Sequence, residues 1–262
     1  MNASNYHTHT TFCDGTDSPE DLVREAIRFG CPEIGFSGHS HLAEDCCSMT
    51  PEGTIAYCRE IRRLQKAYCG QIRILLGIEQ DYFSRIDREQ FDYVIGAVHF
   101  VRKNGHLHTV DESPSCFQRI VREEYGGDGY ALAEDYYALV GNLWEQTHCD
   151  IIAHFDLITK FNEGNCLFDT GHPRYRAAAD AALERLLQAP CLLEVNTGAI
   201  SRLYRTEAYP EKRFLDRWLS AGKEIILSSD CHAKKNLLFG FERYQDLPHR
   251  ETLLPNPAAE GK

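Results

Sequence analysis

Histidines and acids fall at a repeated place in this sequence, at or just after the ends of short apolar runs. His7 and His9 stand two apart in Asn5–Thr10, so on a strand both rings share one face. His39 closes Gly35-Phe36-Ser37-Gly38, Glu79 follows Leu75-Leu76-Gly77-Ile78, and His99 follows Gly96-Ala97-Val98. His154 ends Ile151-Ile152-Ala153, Glu194 opens Glu194-Val195-Asn196, and Asp230 and His232 end Leu227-Ser228-Ser229. Imidazoles with carboxylates make an N/O donor set that suits Zn²⁺, Mn²⁺ or Fe²⁺ better than Mg²⁺ or Ca²⁺. One such residue is ordinarily a satisfied polar group, but gathering all of them at one place costs several kcal/mol in desolvation and repulsion unless cations pair them. His106, His108, His148, His172 and His249 fall in loops or helices, and no role is assigned to them.

The elements that must position these residues alternate. The expected strands are Asn5–Thr10, Glu33–His39, Arg73–Asp81, Tyr93–Phe100, Asp150–His154, Leu192–Thr197 and Glu224–Asp230. Between them, Ser18–Phe29, Pro51–Tyr68, Ser113–Glu124, Tyr130–Gln146, Pro173–Gln188 and Glu211–Ala221 carry apolar residues three or four apart, the spacing of an amphipathic helix. The first opens Ser18-Pro19-Glu20-Asp21 and closes at Gly30, a capped start and a stop signal. Alternating strands and helices predict a parallel sheet, here a single-domain α/β fold, a seven-stranded or distorted TIM-like barrel. Such barrels gather their functional residues at the strand C-termini, where the histidines and acids above converge. The simple alternation breaks only at His106–Gln146, which holds two helices in succession. The domain is expected over residues 1–250 and a flexible tail over 251–262.

Composition narrows the partners. A net charge of −11 disfavours nucleic acid, whose phosphate backbone calls for clustered Lys and Arg. No run approaches the length of a membrane span and the N-terminus lacks a basic and apolar leader, so a cytoplasmic location is expected. Eleven scattered cysteines without a C-x-x-C pair read as mostly reduced packing residues; Cys46-Cys47 is the one adjacent pair.

Taken as an ordered set, HTHTTFCDG, FSGHSH, GIEQDY, GAVHF, AHFDL, LEVNTG and SSDCH cover nearly the whole chain, which thereby resembles the PHP (polymerase and histidinol phosphatase) superfamily, and within it the histidinol-phosphate phosphatases. The resemblance implies a distorted (β/α)₇ barrel with three divalent ions, zinc, manganese or iron. His7, His9, Glu79 and Asp230 would hold the first, Glu79 would bridge to a second held also by His99 and His154, and Asp14, His39 and His232 would hold the third. Asp14-Gly15 is also a plain turn signal.

Three divalent ions outweigh the three carboxylates, so a phosphate monoester dianion is the natural counter-charge. A hydroxide between the first two ions is the expected nucleophile, and Asp230 or His232 the expected proton donor to the leaving alcohol. Arg202, Lys160 and His41 are candidate phosphate contacts; the similar phosphatases favour arginine where Lys160 stands, which exchanges a two-pronged contact for a point charge. Asp111, Glu112 and Tyr125 of the insertion are candidate lid residues. The expected reaction is hydrolysis of L-histidinol phosphate in histidine biosynthesis. A phosphoesterase acting on nucleotides, DNA ends or phosphotyrosine, and a non-catalytic metal-binding domain, are the competing readings. Both a monomer and a homodimer remain open.

Overall fold

In the computed structural model, which describes residues 3–254, six parallel strands form one sheet in the order β1-β2-β3-β6-β7-β8. These are β1 (Glu33–Phe36), β2 (Arg73–Asp81), β3 (Tyr93–Ala97), β6 (Ile151–Ile152), β7 (Leu192–Asn196) and β8 (Ile225–Ser228), while β4 (Phe100–Lys103) and β5 (His106–Thr109) make a separate antiparallel hairpin. The first expected strand, Asn5–Thr10, is not a regular one. It touches the sheet by isolated bridges from Asn5 to Ile34 and from Thr8 to Cys231, with bonds Gly35 N to Asn5 O of 2.8 Å and His9 N to Cys231 O of 2.9 Å. The segment therefore spans the gap between β1 and the end of β8 as a seventh stave, and the distorted barrel expected from the alternation is the observed architecture.

Among the described residues the α-helices are α1 (Pro19–Phe29), α2 (Pro51–Ala67), α3 (Pro114–Glu124), α4 (Gly129–Gly141), α5 (Leu143–Thr147), α6 (Pro173–Leu186), α7 (Gly198–Ser201) and α8 (Lys212–Ser220). Three of them begin with the same local device. The hydroxyls of Ser18, Thr50 and Ser113 accept the N–H of Asp21, Gly53 and Cys116, and the next residue is proline, which has no N–H to leave unpaired. The helix expected over Tyr130–Gln146 is broken at Asn142 into α4 and α5. The hairpin and the short α7 escaped the sequence reading, because four-residue elements carry too little periodicity to register.

Apolar side chains fill two layers. Large residues such as Phe36, Tyr57, Leu76, Phe155 and Trp218 pack between sheet and helices. A smaller cluster of Tyr6, Leu75, Tyr93, Ile95, Ile151, Leu192 and Ile226 plugs the barrel interior. Side chains two apart point the same way, so the alternation Leu75–Gly77–Glu79 carries β2 from the plug up to the mouth. The Tyr93 ring occupies the space that side chains at positions 35 and 77 would need, which explains glycine at both. Of the expected tail, residues 255–262 lie outside the described residues; before them Leu253 is buried in the plug, its N–H bonded to the Tyr6 hydroxyl at 3.1 Å. Among the described residues no helix is long and apolar enough to cross a membrane.

Candidate metal centre

At the C-terminal ends of the staves the expected ligands meet around Glu79, which is almost wholly buried. Its two oxygens divide them. Oε2 lies 3.4 Å from His7 Nε2, 3.5 Å from His9 Nε2 and 3.0 Å from His39 Nδ1, while Oε1 lies 3.1 Å from His154 Nε2 and 3.4 Å from His99 Nε2. Asp230 Oδ1 completes the first side, 3.2 Å from His9 Nε2 and 3.7 Å from His7 Nε2. Asp14 stands at the edge, with Oδ2 3.0 Å from His232 Nε2 and Oδ1 3.4 Å from His9 Nδ1 and 3.7 Å from His39 Nε2. All nine expected ligand residues thus come together, Asp14 included.

The donor atoms fit divalent cations. His7 Nε2, His9 Nε2, Asp14 Oδ1 and Glu79 Oε2 are buried without any hydrogen-bond partner, a cost of about 1–3 kcal/mol each if nothing else satisfies them. His7 Nε2 and His9 Nε2 lie 3.4 and 3.5 Å from Glu79 Oε2, His9 Nε2 is 3.2 Å from Asp230 Oδ1 and Asp14 Oδ1 is 3.7 Å from His39 Nε2, close to the separation of two donors around one ion at roughly 2.1 Å. Four overlapping groups have ligand spacing: His9–Asp14–His39–His232, His7–His9–Asp230, His7–Glu79–His154 and His39–Glu79–His99.

Electrostatics follow the same pattern. Burial alone would push the Glu79 and Asp230 carboxyls up, but His7, His39 and His99 around Glu79, and Arg202 and His7 beside Asp230, hold both well below the usual carboxylate range. His232 and His39 do the same for Asp14 against its burial. Burial lowers His99, yet Glu79 and Asp81 overcome it and bring the ring up to about 10. His9 goes the other way, down to about 3, because burial is reinforced by His232 and His39.

A second set of groups aims the rings. Glu194, fully buried, accepts from His7 Nδ1 (2.9 Å), His154 N (2.7 Å), Asn196 Nδ2 (2.7 Å) and Ser228 Oγ (2.6 Å). Its bond fixes the His7 proton on Nδ1 and leaves the Nε2 lone pair facing Glu79 and Asp230. Asp81 lies 3.3 Å from His99 Nδ1 and accepts the His99 N–H at 3.0 Å. The sequence places Glu194 in the strand-end series without its partners, and offers for Asp81 only its position two residues past Glu79 on the same face.

Asp230 adopts a left-handed backbone (φ 46°), uncommon outside glycine. Gly198, at the start of α7, is what lets it sit there: a Cβ at 198 would lie 2.9 Å from Asp230 Cβ and 3.0 Å from Arg202 Nη2. Arg202 Nη2 donates to Asp230 Oδ2 at 3.0 Å and Nη1 to His232 Nδ1 at 2.8 Å, so that His232 carries its proton on Nε2 toward Asp14. Lys160 Nζ donates to Asp111 Oδ2 (3.0 Å) and to the Asp111 carbonyl (2.8 Å).

The cluster opens into a cavity of about 400 Å³ bordered by Asp111, Glu112, Lys160, Arg202 and Tyr204. Two expected residues are absent from it. His41 is exposed and does not line the cavity, its Nδ1 3.0 Å from the Met49 carbonyl, because the chain turns away after His39 and ends the strand geometry that would have kept both rings on one face. Tyr125 closes α3 with its hydroxyl on Asp135, Lys103 over its ring, and lies outside the lining.

The barrel has known counterparts. The PHP domain model matches residues 5–198, and the chain belongs to that family. Among proteins it is similar to, the "Probable histidinol-phosphatase" of Schizosaccharomyces pombe is 28% identical over 255 residues, 86% of this chain and 79% of that protein. The histidinol-phosphatase of Lactococcus lactis is also 28% identical, over 90% of this chain and 86% of its own. The histidinol phosphate phosphatase structure from that organism, complexed with zinc, L-histidinol and phosphate, superposes with a TM-score of 0.66 at 21% identity over 93% of this chain and 91% of that one. The hisK structure from Listeria monocytogenes gives 0.79 at 23% identity, over 92% and 99%.

Proposed function

We propose that this chain is a metal-dependent histidinol-phosphate phosphatase, releasing L-histidinol and phosphate. The observation that carries the reading is the ring of buried, partnerless N and O atoms around Glu79 at the floor of a cavity that also holds two cations, Arg202 and Lys160. The names of the relatives along nearly the full chain support the substrate.

Three divalent ions, zinc, manganese or iron, suit the site. His7, His9, Glu79 and Asp230 would hold one, Glu79, His99 and His154 a second, and Asp14, His39 and His232 the third; the opposite facing of the Glu79 oxygens supports a bridging role. Bound ions supply a water of lowered pKa and stabilise charge on the phosphoryl oxygens. The chain's own residues do the rest. Arg202, bonded to Asp230 and His232, borders the cavity and adds positive charge toward a phosphate there, and Lys160, steadied by Asp111, adds a point charge. Asp230, kept ionised by Arg202 and His7, would offer its Oδ1 to the first ion while Oδ2 stays on Arg202. His232, a quarter exposed at the mouth, would give up its Nε2 proton to take the third ion while Nδ1 stays on Arg202, so the leaving alcohol oxygen takes its proton from solvent at the open mouth.

The test is phosphate release from L-histidinol phosphate, a nucleoside monophosphate and phosphotyrosine, each with and without chelator. Fastest release from L-histidinol phosphate, abolished by chelator, is expected. Faster release from another ester would replace the substrate, and release from none would overturn the phosphatase reading.

A further inference from the structure

A separate group of ligand atoms lies at the rim of the same cavity. In the turn after His41, one carboxylate oxygen of Asp45 and the thiols of Cys46 and Cys47 all lie within 4.8 Å of one another. Both cysteines are exposed, both border the cavity alongside Asp14, His39 and His232, and neither is in a disulfide. The turn is already folded: Asp45 Oδ1 accepts the Cys47 N–H at 2.9 Å, and the Ser48 hydroxyl donates to the Leu42 and Asp45 carbonyls at 3.0 and 2.9 Å. The Asp45 carboxylate has no ion pair among the described residues, and Glu44 beside it adds negative charge.

We propose that Asp45, Cys46 and Cys47 form a further metal site, distinct from the buried centre, which takes one thiophilic divalent ion such as Zn²⁺ or Cd²⁺ at the cavity mouth. Two thiolates around a tetrahedral ion at about 2.3 Å stand roughly 3.8 Å apart, so the observed spacing needs only a small closure. The carboxylate is a third ligand, and the fourth position is open to water. Binding releases the two thiol protons to solvent, so it strengthens with rising pH. The nine ligand residues of the buried centre are imidazoles and carboxylates, with the single Cys13 thiol beside His9, whereas the rim offers two thiolates to one ion, which separates the two sites by metal preference. An ion on the rim narrows the approach to Asp14 and His232 and inhibits turnover.

The experiment uses the full chain loaded with Mn²⁺, which thiolates bind weakly, and titrates it with Cd²⁺ while recording the ultraviolet thiolate-to-cadmium charge-transfer band. Cys13, whose thiol lies 3.5 Å from His9 Nδ1, is kept in both proteins, so any band arising beside the buried centre remains in the variant and only the rim band is lost. The expected result is a band that saturates at one ion per chain in the wild type and is missing from the Cys46→Ser/Cys47→Ser variant, which keeps wild-type Mn²⁺ content. The same titration should inhibit phosphate release in the wild type and leave the variant at least tenfold less sensitive. The inhibition arm rests on the phosphatase reading, whereas the spectral arm does not. A band of equal size in both proteins, or none in the wild type, overturns the proposal.

Discussion

Replacing Glu194 by glutamine changes one buried atom and should disable a ligand that Glu194 does not itself share. Every group facing the carboxylate is a donor: His7 Nδ1 and Ser228 Oγ on one oxygen, His154 N and Asn196 Nδ2 on the other. A glutamine must turn its NH₂ toward one pair. The backbone N–H of His154 can never accept, so facing that side leaves buried N–H groups unpaired at about 1–3 kcal/mol each. Facing the other side is easier, because the Ser228 hydroxyl can rotate and His7 can move its proton to Nε2. That tautomer, however, aims a proton instead of a lone pair at Glu79 and Asp230. Loss of such an orienting partner weakens metal binding about 10–100-fold, or roughly 1.4–2.7 kcal/mol. Metal content after dialysis against graded chelator, measured beside kcat at saturating metal, separates the affinity loss from a chemical one. A Glu194→Gln protein that folds and retains metal as tightly as wild type would refute the tautomer argument.

Gly198→Ala puts a methyl against Asp230 and Arg202, and overpacking of this kind costs about 1–3 kcal/mol, read as a lowered Tm together with reduced kcat. Arg202→Ala should raise KM at least tenfold and also lower kcat, since it frees Asp230 from its cation, while Lys160→Met should raise KM with little change in kcat; unchanged kinetics in either removes that contact. Stripped of metal, the protein should melt highest between about pH 4.5 and 6.5. His99, raised to about 10, with His7 and His39 also raised, contributes stability below the unfolded imidazole value that is lost as pH climbs toward 10. Asp14, Glu79 and Asp230, all depressed, contribute stability that is lost as pH falls below about 4. A chelated protein that melts highest above pH 8 would contradict these signs.

Much of the centre was legible because strand ends are legible. Short apolar runs closed by His39, Glu79, His99, His154 and Asp230 mark both the sheet and the one end of it where chemistry gathers. What escaped depends on partners distant in the chain. Glu194 orients a residue 187 positions away, and Arg202 reaches Asp230 only because α7 turns back over the barrel mouth. His41 shows the converse, since its spacing from His39 imitates that of His7 and His9 but the strand has already ended. The seventh stave was placed correctly in order yet lacks a regular ladder, because its bonds are divided between β1 and the end of β8.

The most direct test of the metal-centred account is stepwise reconstitution. Chelator-stripped protein is titrated with Mn²⁺ or Zn²⁺, and bound metal per chain is counted beside phosphate release from L-histidinol phosphate. The account predicts no release from the stripped protein, activity rising with occupancy to a plateau at three ions per chain, and neither in a Glu79→Gln variant. Full phosphate release from protein verified to be free of metal would contradict it.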